Sequence, residues 1–224
     1  MRMNFVCLAA FGLFALCVTA PSLQAQSLYT VSIDTTGLNG TAGGLAFDLL
    51  SGDNLTPNNT VLVNSFVTDG TLVAGANTNQ GSATGSLPGT LTLQDSAFSE
   101  SFRGHTFGSS LSYMLSLTTN YAGSGAPDEF SFFLTDPSNS GLVVHTSDPS
   151  GADALFIIDI DGSSQGALTV FTPTTSGVSY SVRASSPAST PEPSSLIPVG
   201  VSVGWLLFRA RRRQWGSRVT SLNS

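Results

Sequence analysis

The chain contains no lysine and little charge of any kind: charged residues make up 10% of its 224 positions, and all eight basic residues are arginine. Six of these lie towards the ends, Arg2 in front and Arg209, Arg211, Arg212, Arg213 and Arg218 behind. Between Gln26 and Thr190, thirteen acids face only Arg103 and Arg183, a net of −11. Duplex affinity comes from Lys and Arg neutralising phosphates, so nucleic acid is excluded as the main partner. Cysteine is almost as scarce. Cys7 and Cys17 both fall in the first 25 residues, which removes disulfides, thiolate catalysis and cysteine metal sites from the middle of the chain. Tryptophan is also missing there, since Trp205 and Trp215 stand near the C-terminus. With 41% hydrophobic residues and so few charges, the middle is too apolar for wholesale disorder and has the length of one domain.

What is present at the ends reads as addressing. Met1 to Ala25 carries a positive charge at Arg2, an apolar run from Phe5 to Ala20, and a short polar stretch closing on Leu23-Gln24-Ala25. That layout predicts a secretory signal peptide cut after Ala25, because a cut after Ala20 would leave Pro21 directly beyond the bond. Near the other end come Pro191-Glu192-Pro193, an uncharged apolar run from Ser194 to Phe208, and the cluster Arg209, Arg211, Arg212 and Arg213. A helix over 194–208 would rise about 22 Å against a hydrocarbon core of about 30 Å, so the predicted transmembrane helix is a short one. The positive-inside bias keeps the Arg cluster and the 214–224 tail in the cytoplasm and leaves everything upstream outside, where the signal peptide also delivers it.

A signal peptide followed at the far end by Pro-Glu-Pro, an apolar helix and an Arg cluster resembles the PEP-CTERM sorting arrangement of exported proteins from Gram-negative bacteria. The resemblance implies that Pro191, Glu192 and Pro193 are recognised by a membrane-embedded exosortase. It further implies that exosortase and signal peptidase are the processing partners, that the protein passes to the cell surface, and that it accompanies exopolysaccharide. Ile33-Asp34-Thr35-Thr36-Gly37-Leu38 followed by Leu45-Ala46-Phe47-Asp48 is similar to the opening of one group of PEP-CTERM proteins.

Period-two alternation dominates the middle. Tyr29-Val31-Ile33, Leu45-Phe47-Leu49, Leu111-Tyr113-Leu115-Leu117 and Phe130-Phe132-Leu134 each place one strand face against a core and the other in water. Further strands are predicted over 61–67, 71–74, 90–93, 142–146, 155–160, 168–171 and 178–182. Asp69-Gly70 is predicted to be a two-residue hairpin turn, and 51–59, 75–88, 123–128 and 136–141 to be loops. Ten or eleven short strands without a helical period predict an all-β antiparallel sandwich or jelly roll over residues 26–184, followed by a linker at 185–190.

Candidate chemistry is sparse. Gly162-Ser163-Ser164-Gln165-Gly166 matches a nucleophile-elbow spacing, but no helical pattern and no histidine follow it, so a Gly/Ser hairpin loop is expected. His105 and His145 lack partner spacing and are expected at surfaces or strand edges. Asp148, Asp153, Asp159 and Asp161 form the densest acidic group and are the candidates for calcium, although they miss the D-x-D-x-D-G loop pattern and Asp161-Gly162 also fits a simple turn. Tyr121, beside a Gly-rich stretch, is the candidate for stacking on a sugar. The expectation is therefore a non-enzymatic exported surface or matrix protein with no catalytic residue and no cofactor, calcium being the alternative to none. A carbohydrate-binding module is the second reading, favoured by a groove with Tyr or paired Asp and Asn. A secreted hydrolase is the third and needs clustered carboxylates or a Ser/His pair.

Overall fold

The computed structural model describes residues 26–53, 57–121 and 123–185. Along them run twelve strands and one 3-10 turn at Thr36–Leu38: β1 Gln26–Asp34, β2 Ala42–Leu50, β3 Thr60–Thr68, β4 Thr71–Gln80, β5 Thr84–Gly85, β6 Leu91–Gln94, β7 Phe98–Thr106, β8 Ser110–Thr118, β9 Asp128–Thr135, β10 Phe156–Ile160, β11 Ala167–Val170 and β12 Ser179–Ser185. They form two antiparallel sheets, one ordered β12-β1-β8-β3-β6-β5 and the other β11-β10-β9-β2-β7-β4. The fold is all-β and fits a β-sandwich. Ala25, the Pro191-Glu192-Pro193 motif, the 194–208 run, the Arg cluster and residues 186–190 of the expected linker lie outside the described residues; Ser185 itself pairs with Leu28 as the last residue of β12.

Alternation explains the core. Leu45, Phe47 and Leu49 of β2 and Phe130, Phe132 and Leu134 of β9 point inward against Tyr29, Val31 and Ile33 of β1 and Leu111, Tyr113 and Leu115 of β8, all buried. The Phe47 ring sits 4.9 Å from Phe132 and 5.6 Å from Tyr113, the latter edge to face. Burying each such ring stabilises the fold by about 1.5–3 kcal/mol. Leu155 and Phe156, apolar on both sides in the sequence, lead into β10, which is flanked by β9 and β11. At Gly37 any Cβ would stand 2.2 Å from the Ser176 carbonyl oxygen, so only glycine lets the turn after β1 lie against residues 176–177.

Three expectations need correction, and one strand was not expected. Asp69-Gly70 is not a hairpin: β3 and β4 belong to different sheets, and the pair forms the corner between them. Asp69 fixes that corner by accepting from Ser110 N at 2.8 Å and from the Ser109 hydroxyl. These bonds, Ser109 first, pull its carboxyl down to about 2. The predicted strand at 142–146 makes only the isolated bridges Thr135–Leu142 and Thr146–Pro173, its apolar character reflecting Val144 packed into the core from a loop. The expected loop at 75–88 is strand as far as Gln80, with β5 beyond it. Lastly, β7 is a buried strand that alternation does not reveal, because its inward residues are Ser99, Ser101, Arg103 and His105. Part of this polar surface is paired inside: Arg103 donates to Asn79 Oδ1 at 2.8 Å and to Gly85 O at 2.6 Å, and Ser101 to Asn79 Oδ1 at 2.8 Å, while Arg103 Nε and His105 Nδ1 have no partner.

Phe47→Ala should lower the unfolding free energy by about 3–5 kcal/mol, whereas Val170→Ala, at a 56% exposed position, should change it by no more than about 0.5 kcal/mol. Denaturant titration of the two variants measures the difference.

Candidate functional site

Asp48 lies at the centre of the outer face of the β4-containing sheet. Its neighbours Phe47 and Leu49 point inward, so period two turns Asp48 outward. Register places it directly beside Glu100 of β7 and Ser131 of β9. The 136–154 segment covers this pair and closes a cleft of about 350 Å³, with Phe133, Asn139, Leu142 and His145 among its walls. The cover is well anchored. Asp136 Oδ1 accepts from Ser138 N at 2.9 Å and Ser140 N at 3.0 Å, Val143 N donates to Leu134 O at 3.0 Å, and Val144 is fully buried.

Inside, Asn139 Nδ2 donates to Glu100 Oε1 at 2.6 Å. Asp48 has less help. Its Oδ1 is shut off from solvent and has no hydrogen-bond partner. Burial, with the Glu100 charge adding to it, pushes the Asp48 carboxyl up to about 7. Further along the same face Glu129 of β9 stands opposite Asp159 of β10, and both are raised, first by burial and then by neighbouring acids. Two larger hollows, about 660 and 520 Å³, lie elsewhere. They bring together fewer titratable groups: Asp34, already bonded to Thr36, and Tyr180 line one, and Tyr180 and Arg183 the other.

The residues singled out from sequence are scattered. Asp148 holds its own loop, accepting from Ser150 N at 2.9 Å and Ser150 Oγ at 2.7 Å. Asp153 pairs with His145 Nδ1 at 2.7 Å and accepts from Thr146 N at 2.8 Å, and Asp161 accepts from Ser163 N at 3.0 Å. Asp159 sits on β10, two residues before Asp161, whose charge helps to raise it. Among the described residues no group of three or more His, Cys, Asp or Glu is placed to hold a metal ion. His145 is exposed, as expected. His105 is not: it is fully buried, its Nε2 3.2 Å from Thr68 Oγ1 and its ring between Phe66 and Phe107. Burial holds its pKa below the usual imidazole value. Gly162–Gly166 is the loop of the β10–β11 hairpin, and Tyr121 is half-buried, its hydroxyl donating to Gly125 O at 3.0 Å.

Sequence reasoning missed a second polar centre at one end of the sandwich. Asp128 accepts from Gly52 N at 2.8 Å and Asn59 Nδ2 at 2.7 Å, and Asn59 Oδ1 in turn accepts from Asn120 N at 2.9 Å and Thr118 Oγ1 at 3.0 Å. Asp95, fully buried, accepts from Asn58 N at 3.2 Å. Burial and the adjoining Asp128 carboxyl push Asp95 up to about 6. The scatter of Asn and Asp over residues 52–128 gave no local signal of this tie.

Carboxyls raised on folding bind protons more tightly folded than unfolded, so their stabilising contribution is complete below about pH 4 and is lost as pH rises through their folded values. Unfolding free energy should therefore fall between about pH 4 and about pH 7. Asp48→Asn should remove about 2–3 kcal/mol of that fall, a figure discounted for the partial exposure of its side chain. Denaturant titrations across this range would show the same fall in Asp48→Asn as in the unaltered chain if Asp48 were solvated like a surface acid, since Asp95 contributes the remainder.

Compared with protein-family models, curated proteins and solved structures, the chain gives no match.

Proposed function

We propose that the chain is an exported, non-enzymatic β-sandwich protein, sorted by a PEP-CTERM signal to the cell surface or matrix, whose Asp48–Glu100 cleft binds exopolysaccharide. One observation carries the binding half: a formed cleft on paired strands unites two carboxylates, the Asn139 amide and the Phe133 ring. Polar groups that orient hydroxyls beside an apolar ring face are what a sugar site requires. The order of signal peptide, Pro191-Glu192-Pro193, apolar run and Arg209 to Arg213 supports the location half. Exosortase, signal peptidase and the membrane are the processing partners in this reading, and it needs no cofactor. The strand order β1-β8-β3-β6 facing β2-β7-β4 supports the jelly-roll subclass of the sandwich.

A secreted hydrolase is the second reading, favoured by the same pair: a carboxyl raised to about 7 beside a second carboxylate suits a general acid and its partner.

Two measurements test the proposal. Intact mass and terminal sequencing of protein recovered from membranes and from medium should show a start after Ala25 and loss of the sequence from near Pro193 onward. Retention of Arg209 to Ser224 in membranes would mean a permanent anchor and overturn exosortase processing. Exopolysaccharide incubated with the protein should be retained at unchanged chain length. Shortening that disappears in Glu100→Gln would instead establish the hydrolase.

A further inference from the structure

We propose that the cleft selects a primary ammonium group carried on a sugar, so that its ligand is a glycan of free amino sugars. This deepens the polysaccharide reading and rests on it. Asp48 and Glu100 stand side by side, and Asp48 Oδ1 is enclosed without a donor. Among the described residues no cation answers them. Arg103 belongs to the same strand as Glu100 but faces the sandwich interior, where it is bonded to Asn79 and Gly85. Arg183 lies on β12 of the other sheet, and His145, at the cleft rim, is tied to Asp153. Glu129 and Asp159 extend the same sign of charge along the face.

A uronate, sulfate or phosphate polymer would meet repulsion here and find no partner. An N-acetyl group brings a single N–H and no charge. An ammonium brings three N–H donors and the missing positive charge, enough to reach both carboxylates at once. Phe133 and Leu142 supply apolar wall for the ring that carries it, which a simple polyamine lacks.

Proton exchange follows from the same geometry. The groups facing Asp48 are Glu100 on β7 and His145 on the covering loop, while its other strand neighbour Ser131 and the Asn139 amide carry no charge. A protonated Asp48 carboxyl meeting an ammonium gives the carboxylate–ammonium pair and releases one proton to solvent. Binding therefore tightens as pH rises through the Asp48 titration and weakens once the amine itself loses its proton.

Calorimetry on the full chain tests this with four probes: a glucosamine hexamer, an N-acetylglucosamine hexamer, a galacturonate hexamer and spermidine. The glucosamine hexamer should bind at neutral pH, release protons, and weaken with added salt. Affinity should fall about tenfold or more in both Asp48→Asn and Glu100→Gln, and stay unchanged in Asp34→Asn on the other sheet. Circular dichroism checks that each variant is folded, and Asn139→Ala serves if Asp48→Asn is not. Equal binding of the N-acetylated hexamer would overturn ammonium selection while leaving the polysaccharide reading intact. Spermidine binding as tightly as the glucosamine hexamer would overturn the sugar part. Preference for the galacturonate hexamer would overturn the electrostatic argument, and no binding by any of the glycans would overturn the polysaccharide reading itself.

Discussion

The folded part of this chain must satisfy thirteen acids with almost no cations, and its architecture follows from where the substitutes are found. A buried or half-buried carboxylate needs hydrogen-bond donors or it takes up a proton. Here the donors are backbone amides, hydroxyls and Asn side chains. Asp69 pins the corner between the sheets to Ser109 and Ser110, Asp136 knots the loop that covers the cleft, and Asp128 ties residue 52 to Asn59, which in turn holds residue 120. Among the described residues one ion pair is formed, His145 with Asp153. The abundance of Ser and Thr in the sequence is thus more than surface decoration, since these residues supply the hydroxyl donors that lysines supply elsewhere.

Where donors run out, the carboxyls are pushed towards neutrality. Asp95 adjoins Asp128 with one oxygen unpartnered, and Asp48 adjoins Glu100 in the same condition. The two places differ in access. Asp95 is fully enclosed and serves to tie loops, while Asp48 lies in a cleft of molecular size. An unanswered acid at the end of a sandwich is a structural matter. In a cleft on a rigid sheet, it is an opening for a ligand that brings the missing charge.

Much of the fold was legible because its core strands obey a simple rule. In β1, β2, β8 and β9 the alternate residues that face the opposite sheet are apolar apart from Ser27 and Asp128 at strand ends. β7 breaks the rule, with Ser99, Ser101, Arg103 and His105 inward, because the interior beside β4 and β5 holds a hydrogen-bonded network around Asn79. For the same reason His105 reads as a surface residue in sequence and is buried in the fold. Asp69-Gly70 carries the composition of a hairpin turn, but the pairing partners of β3 and β4 lie in different sheets, and local composition does not report long-range pairing. The cleft was illegible for a related reason. The acids dense in sequence, Asp148 to Asp161, are taken up by their own backbone surroundings, Asp148 and Asp153 in one loop, Asp159 on β10 and Asp161 in the β10–β11 turn. Asp48 and Glu100 are distant in sequence and meet through the β2–β7 register. The one available signal was Asp48 itself, a single acid inside the otherwise uncharged strand Ala42–Leu50.

Two physical statements therefore carry the account: alternation builds the sandwich, and a shortage of donors leaves Asp48 charged only at a cost. The most direct test is a carboxyl NMR titration of the isotope-labelled protein. The account predicts one Asp side chain titrating near 7, assigned to Asp48 by its loss in Asp48→Asn and shifted downward when Glu100→Gln removes the neighbouring charge. If Asp48 titrated near 4, like a solvated aspartate, the cleft would hold no unanswered acid and the account would be contradicted.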